Sequence, residues 1–198
     1  AKTVDKQLSV EAKACYLCGV VSRLTCGKCL IVHYCSAEHQ TQDWPTHKLL
    51  CKLVRSNADI REAVNMWCTN PTKALKKYGK ISEWNTSRVT NMWCVFRNTP
   101  FNGDISGWDV SSVTSMNSMF SYSQFDGDIS KWNVSSVTNM STMFRESKFD
   151  GDISGWDVSN VTNMGFMFME SQFDGDISKW YVSNVTNMGF MFMESQFD

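Results

Sequence analysis

Residues 15–51 read CYLCGVVSRLTCGKCLIVHYCSAEHQTQDWPTHKLLC. Within them Cys15, Cys18, Cys26, Cys29, Cys35, His39, His47 and Cys51 follow the spacing C-x2-C-x7-C-x2-C-x5-C-x3-H-x7-H-x3-C. Two tetrahedral zinc sites need eight thiolate or imidazole donors, and this run supplies eight. A C-x2-C turn is the tightest common way to aim two thiolates at one ion. So short a stretch cannot bury much core, and metal is expected to staple it. Every ligand position is taken by protein, which leaves no place for water or substrate, so the two Zn2+ ions are expected to be structural.

Local signals place the later ligands on helices. Ser36 is a good N-cap directly after Cys35, which predicts a short helix carrying His39. Pro45 suits the first turn of a second helix, on which His47 and Cys51, four apart, share a face. His33 reads as a partly exposed side chain beside Tyr34 rather than a ligand. The spacing does not decide between sequential and interleaved pairing of the eight donors.

The segment resembles the MYND-type zinc finger, on its ligand order, Tyr34 before the fifth ligand, Gln40 after the sixth, then Trp44, His47-Lys48 and Cys51. Members of that family usually carry cysteine at the sixth ligand, where this chain has His39. The resemblance implies interleaved pairing: Cys15, Cys18, Cys35 and His39 on one zinc, Cys26, Cys29, His47 and Cys51 on the other. It also implies a protein-interaction module that takes short proline-rich peptides in a groove lined by Gln40 and Trp44. The residues leave a second place for Trp44, packed in the core between two helices.

Outward from the finger, the chain changes character. Residues 1–78 carry 12 Lys+Arg against 6 Asp+Glu, and residues 79–198 carry 7 against 14, which points to separate modules. Six of the eight cysteines fall at metal spacing, so a disulfide framework is rejected and an intracellular setting, cytoplasm or nucleus, is expected. No apolar run of about 18 residues predicts a membrane span, and no signal peptide is visible. The chain begins at Ala1 rather than Met, which leaves its natural start open.

The organisation expected is a tail at 1–14, the finger at 15–51, a helical linker and cap at 52–78, and a repeat array at 79–198. Ile60, Ala63, Val64, Trp67 and Cys68 make an amphipathic stripe, with Cys68 as a small apolar filler. Asn70-Pro71 opens a second helix with apolar Ala74, Leu75 and Tyr78, and Gly79 ends it. These helices stand where an open stack end needs covering.

From Gly79 the chain is five units of 24 residues with the pattern G-D-I-S-x-W-x-V-S-x-V-T-N-M-x-x-M-F-x-x-S-x-F-D. Such a period predicts a parallel-strand, leucine-rich-repeat-like solenoid of five coils, with Trp84, Trp108, Trp132, Trp156 and Trp180 in an inner column. The array resembles BspA-like leucine-rich repeats through its Asp-Ile-Ser-x-Trp, Val-Thr-Asn-Met and Met-Phe runs. That resemblance implies adhesion or protein binding. Positions that vary between units should face outward, giving Phe166, Met169, Phe190 and Met193 as an apolar protein-binding patch; an inward strand phase would make them core. Paired Asp residues such as Asp126/Asp128 are expected to be turn residues, with calcium as the rarer reading. The array ends on a unit boundary without a polar cap, so continuation of the chain or association through that end is expected.

These readings converge on a non-enzymatic scaffold binding protein or proline-rich peptide. The alternatives are an exported adhesin-like repeat protein and a subunit of a chromatin or methyltransferase-type complex with catalysis elsewhere. Nucleic-acid binding is disfavoured, because the basic excess is modest and the spacing is not that of fingers that enter the major groove.

Overall fold

The computed structural model describes residues 13–197, so the expected N-terminal tail lies outside the described residues apart from Lys13 and Ala14, as does Asp198. The chain divides into two compact units between Lys52 and Leu53.

In the first unit each C-x2-C pair sits in the same kind of turn. Cys15 N–H donates to the Val20 carbonyl and Gly19 N–H to Cys15; Cys26 N–H donates to Val32 and Leu30 N–H to Cys26. The fourth residue after each first cysteine is left-handed: Gly19 at φ 73° and Leu30 at φ 55°. Between the turns, strand β1 (Leu24–Thr25) pairs antiparallel with β2 (His33–Tyr34). His33 Nδ1 lies 2.9 Å from the Thr25 hydroxyl and takes no part in a ligand cluster.

Helix α1 then runs unbroken from Ala37 to Cys51 with Pro45 inside it, where the sequence predicts two helices. Ser36 caps it, its side chain accepting from His39 N–H. An interior proline costs a helix about 3 kcal/mol, because it removes an N–H and crowds the carbonyl four residues back. His39, Asp43, His47 and Cys51 recur every four residues on one face, and the last three are buried. That face carries ligands for both clusters, and a structural zinc site supplies about 10–16 kcal/mol in peptide systems. Ligation at both ends therefore outweighs the proline penalty.

The second unit starts with strand β3 (Val54–Ser56), helix α2 (Ile60–Thr69), helix α3 (Pro71–Tyr78), a 3-10 turn at Ile81–Glu83 and strand β4 (Asn85–Arg88). β3 and β4 pair in parallel across the two helices. Asn70 caps α3 by accepting from Lys73 N–H, and Gly79 ends it at φ 76°. Ile60, Ala63, Val64, Ala74 and Tyr78 join the core continuous with the array, whereas Leu75 is half exposed, contrary to the apolar face expected of it. Trp67 and Tyr78 meet Trp84 edge-on at 6.3 and 6.1 Å. Buried Arg55 lies over the Tyr78 and Trp84 rings and is paired to Asp59 at 2.7 Å.

Beyond β4 the described residues contain no further strand; each unit contributes one parallel bridge residue, in the series Asn91, Ser115, Asn139, Asn163, Asn187. After the bridge the backbone turns instead of extending. Ser118 and Tyr122 stand at φ 55° and 58°, and corresponding residues do so in the other units. Amides alternate in direction: Met116, Ser118, Phe120 and Tyr122 donate to Asn139, Ser141, Met143 and Arg145 of the next unit at 2.8–3.0 Å, while Met119 and Ser121 donate three residues back. A left-handed residue at every fourth position prevents a continuous strand, which is why the expected short strand shrinks to a bridge.

Side chains inside the array form columns. Phe120, Phe144 and Phe168 stack at 5.7 Å, and Phe125, Phe149 and Phe173 at 6.3 Å. Trp108, Trp132, Trp156 and Trp180 each donate the indole N–H to an isoleucine carbonyl 27 residues earlier, whereas Trp84, at the start of the column, donates to the Gly79 carbonyl. Burying one such ring is worth roughly 4–6 kcal/mol of gross transfer free energy.

Outside the columns, carboxamides and carboxylates close the turns. Asn85, Asp109, Asn133 and Asp157 each accept from the amide of a serine two residues on, at 3.1 Å. Those hydrogen bonds from Ser159 hold the Asp157 carboxyl below its ordinary range. The fifth unit has exposed Tyr181 at that place, which has no such acceptor. Tyr181→Asp is expected to raise Tm by about 1–2 °C at neutral pH. Because the folded carboxyl is held low, the gain should be full above the ordinary carboxylate range, shrink once pH enters that range, and be lost as pH falls on through the lowered folded value. Thermal melts at pH 7 and pH 3 check this; an unchanged or lower Tm at pH 7 contradicts it.

Candidate metal centre

Two turns, β2 and α1 bring eight donors into two sets: Cys15, Cys18, Cys35 and His39, and Cys26, Cys29, His47 and Cys51. Donor atoms within each set lie within 4.8 Å of one another. The pairing is interleaved, each set taking one C-x2-C turn and two residues from the segment 35–51. All four members of the second set are buried, whereas Cys18 of the first is exposed.

Separations within the sets suit a tetrahedral ion. A zinc–sulfur bond of about 2.3 Å makes the sulfur–sulfur edge of a tetrahedron roughly 3.8 Å. Cys18 and Cys35 sulfurs are 3.6 Å apart, and those of Cys26 and Cys51 are 3.8 Å apart. His39 presents Nδ1 to Cys15 and Cys35 at 3.5 and 3.2 Å; His47 presents Nε2 to Cys29 at 3.4 Å. Nδ1 is the nearer ring nitrogen to the backbone, so His39 reaches little further than a cysteine at the same helix position.

The thiols also show why a cation belongs here. Burial pushes Cys51 up to about 12, helped by neighbouring Cys26 and Cys29, and burial with Cys18 and Cys15 raises Cys35. At Cys15 and Cys26 burial acts upward too, but donors at Cys35 and His39, and at Cys29, Lys28 and His47, outweigh it and bring each to about 6. Each set thus ionises one thiol readily and resists the last. A divalent cation relieves that repulsion, and three thiolates with one imidazole are a fitting zinc set. The donors therefore suit two Zn2+ ions, which when bound cross-link each turn to the segment 35–51.

Between the sets sits a pair that the ligand spacing did not single out. The fully buried Tyr34 hydroxyl donates to Asp43 Oδ2 at 2.5 Å. Burial and the Asp43 carboxylate push the Tyr34 phenol above its ordinary range. The signal was present as an acidic residue midway between His39 and His47 on the ligand face.

Of the expected groove residues, Gln40 and Trp44 line a surface depression of about 350 Å3 with Ala37 and Thr41. Trp44 is 42 % exposed, so it is not packed in a helix core. In the array, Phe166 and Phe190 are 36 % and 61 % exposed and Met193 is 39 % exposed. Met169 is 8 % exposed and leaves the expected patch; Glu170 N–H bonds to the Met193 carbonyl, and the fifth unit covers it. The Asp columns form no metal-ligand cluster among the described residues. Asp128 accepts from Ser130, and Asp126 accepts from the Asp150 amide.

A metal-stapled finger followed by a stacked 24-residue array is the class of protein that these observations define. Residues 15–51 match the MYND finger family, and residues 64–169 and 122–198 match the family described as "Mycoplasma protein of unknown function, DUF285". The chain belongs to the DUF285 family and carries a MYND finger, a zinc-binding protein-interaction module. Among curated proteins it is 40 % identical over 53 residues to the Rho GTPase-activating protein gacZ of Dictyostelium discoideum, covering 27 % of this chain and 5 % of that protein. It is 48 % identical over 46 residues to Programmed cell death protein 2 of Rattus norvegicus, covering 23 % and 13 %. With Egl nine homolog 1 of Mus musculus it shares 51 % over 43 residues, covering 21 % and 11 %. The chain thus spans a small part of each of these relatives. No solved structure matches.

His39→Cys is expected to keep two zinc ions per chain, because a thiolate there reaches the same set. His39→Ala should lower zinc to about one ion per chain at limiting metal. Native mass spectrometry reads both, and loss of a zinc from His39→Cys contradicts the reading.

Proposed function

We propose that the chain is an intracellular, non-enzymatic interaction scaffold in which the zinc ions shape the finger and binding falls to its surface. The finger takes a short proline-rich peptide along α1. The observation that carries this reading is the depression at Gln40 and Trp44, on the helix that holds three of the eight ligands. An exposed indole offers a flat apolar face to a proline ring, and a neighbouring carboxamide offers both a donor and an acceptor to the peptide backbone. Zinc is structural on this reading, because each set of four protein donors completes a tetrahedron.

The array is read as a five-coil solenoid of leucine-rich-repeat kind, displaying a second protein-binding surface. Support comes from the 24-residue period and from hydrogen bonds that join each unit to the next in constant register. Its coils are held by turns and single bridges instead of strands.

Titration of the zinc-loaded chain with a fluorescent proline-rich decapeptide tests the finger. Trp44→Ala is expected to weaken binding at least tenfold while zinc content stays at two ions per chain. Equal affinity in the variant, or no binding by the parent chain, contradicts the groove reading.

A further inference from the structure

The outward corner after each bridge changes along the array. Cys94, Ser118 and Thr142 occupy it in the first three units, and Phe166 and Phe190 in the last two. Both phenylalanines stand in the left-handed region, at φ 59° and 57°, where bulky residues are uncommon. Their retention is not explained by burial, since both are exposed. They stack on each other at 5.3 Å and 23°. A smaller residue fits the same corner, as Ser118 shows at φ 55°.

The charge around the corner changes with it. In the earlier units Arg97 and Arg145 flank the Tyr122 ring, at 5.9 and 5.6 Å from its centroid. Residues 151–197 contain one cation, Lys179, against six acids. Two of those acids, Glu170 and Glu194, are exposed and form the next left-handed corner four residues beyond the phenylalanines, at φ 54° and 55°. Arg145 reaches Glu170 at 3.9 Å from the unit before. The last two units thus pair an exposed aromatic step with an acidic one.

We propose that the Phe166–Phe190 step, with Glu170 and Glu194 beside it, is a docking surface for an extended cationic peptide that carries alternating apolar and arginine or lysine side chains. Ring faces attract cations as well as apolar groups, and the carboxylates select positive charge. The proposal rests on reading the array as an interaction surface and is independent of the finger groove.

The test titrates the full zinc-loaded chain with a fluorescent nonapeptide of alternating arginine and leucine, with a glutamate–leucine peptide as control. Phe166→Ser with Phe190→Ser installs the residue that the second unit carries, so folding should be kept and Tm should not fall. That pair is expected to weaken arginine–leucine binding at least tenfold. Glu170→Gln with Glu194→Gln is expected to weaken it and to flatten its salt dependence. Undiminished binding in the serine variant, equal binding of the acidic peptide, or no binding by the folded parent overturns the proposal. So does concentration-dependent self-association that the serine variant abolishes, which would make a second copy the occupant. Proline-rich peptide binding that depends on Trp44 would survive any of these outcomes, so failure of this surface is distinguishable from failure of the finger.

Discussion

Ordering a residue's backbone costs about 1–2 kcal/mol of conformational entropy, and neither a finger of this length nor a single 24-residue unit buries enough apolar surface to offset it alone. Both halves of the chain answer that constraint with cross-links from outside the local segment. In the finger the cross-links are two sets of three sulfurs and one nitrogen. In the array they are neighbouring units, each donating four backbone amides to the next, accepting others from it, and packed on it through phenylalanine and tryptophan columns.

The finger's one long helix follows from this. His39, Asp43, His47 and Cys51 share a face, so α1 reaches the first set at its start, the Tyr34 hydroxyl in its middle and the second set at its end. Breaking the helix at Pro45 would free a local strain of about 3 kcal/mol and disengage one site or the other. Beside that face the same helix presents Gln40 and Trp44 in a shallow depression, with the Trp44 ring 6.0 Å from that of His47. Metal and surface thus have separate tasks on one element.

Much of this was legible in the sequence, because metal spacing and repeat period are written locally. The eight donors, the Ser36 and Asn70 caps, the Gly79 terminus and the inner tryptophan column all stand where the residues indicated. What escaped was set by competition between local and distant terms. Pro45 reads as a helix start until the ligands on both sides of it are weighed. The 24-residue period reads as one short strand per coil, yet corner residues such as Ser118, Tyr122 and Phe166 stand near φ 55° and hold the backbone in turns. Met169 and Phe166 both vary between units, and only the stacking geometry separates the buried one from the exposed one.

The central claim is that both metal sites are closed by three sulfurs and one nitrogen from the protein. Zinc K-edge absorption on the metal-loaded chain tests it most directly. Two zinc ions per chain are expected, with an average shell of three sulfurs at about 2.3 Å and one nitrogen at about 2.0 Å, and no bound water. A shell with a water oxygen, fewer than three sulfurs on average, or a single tightly held zinc would contradict it.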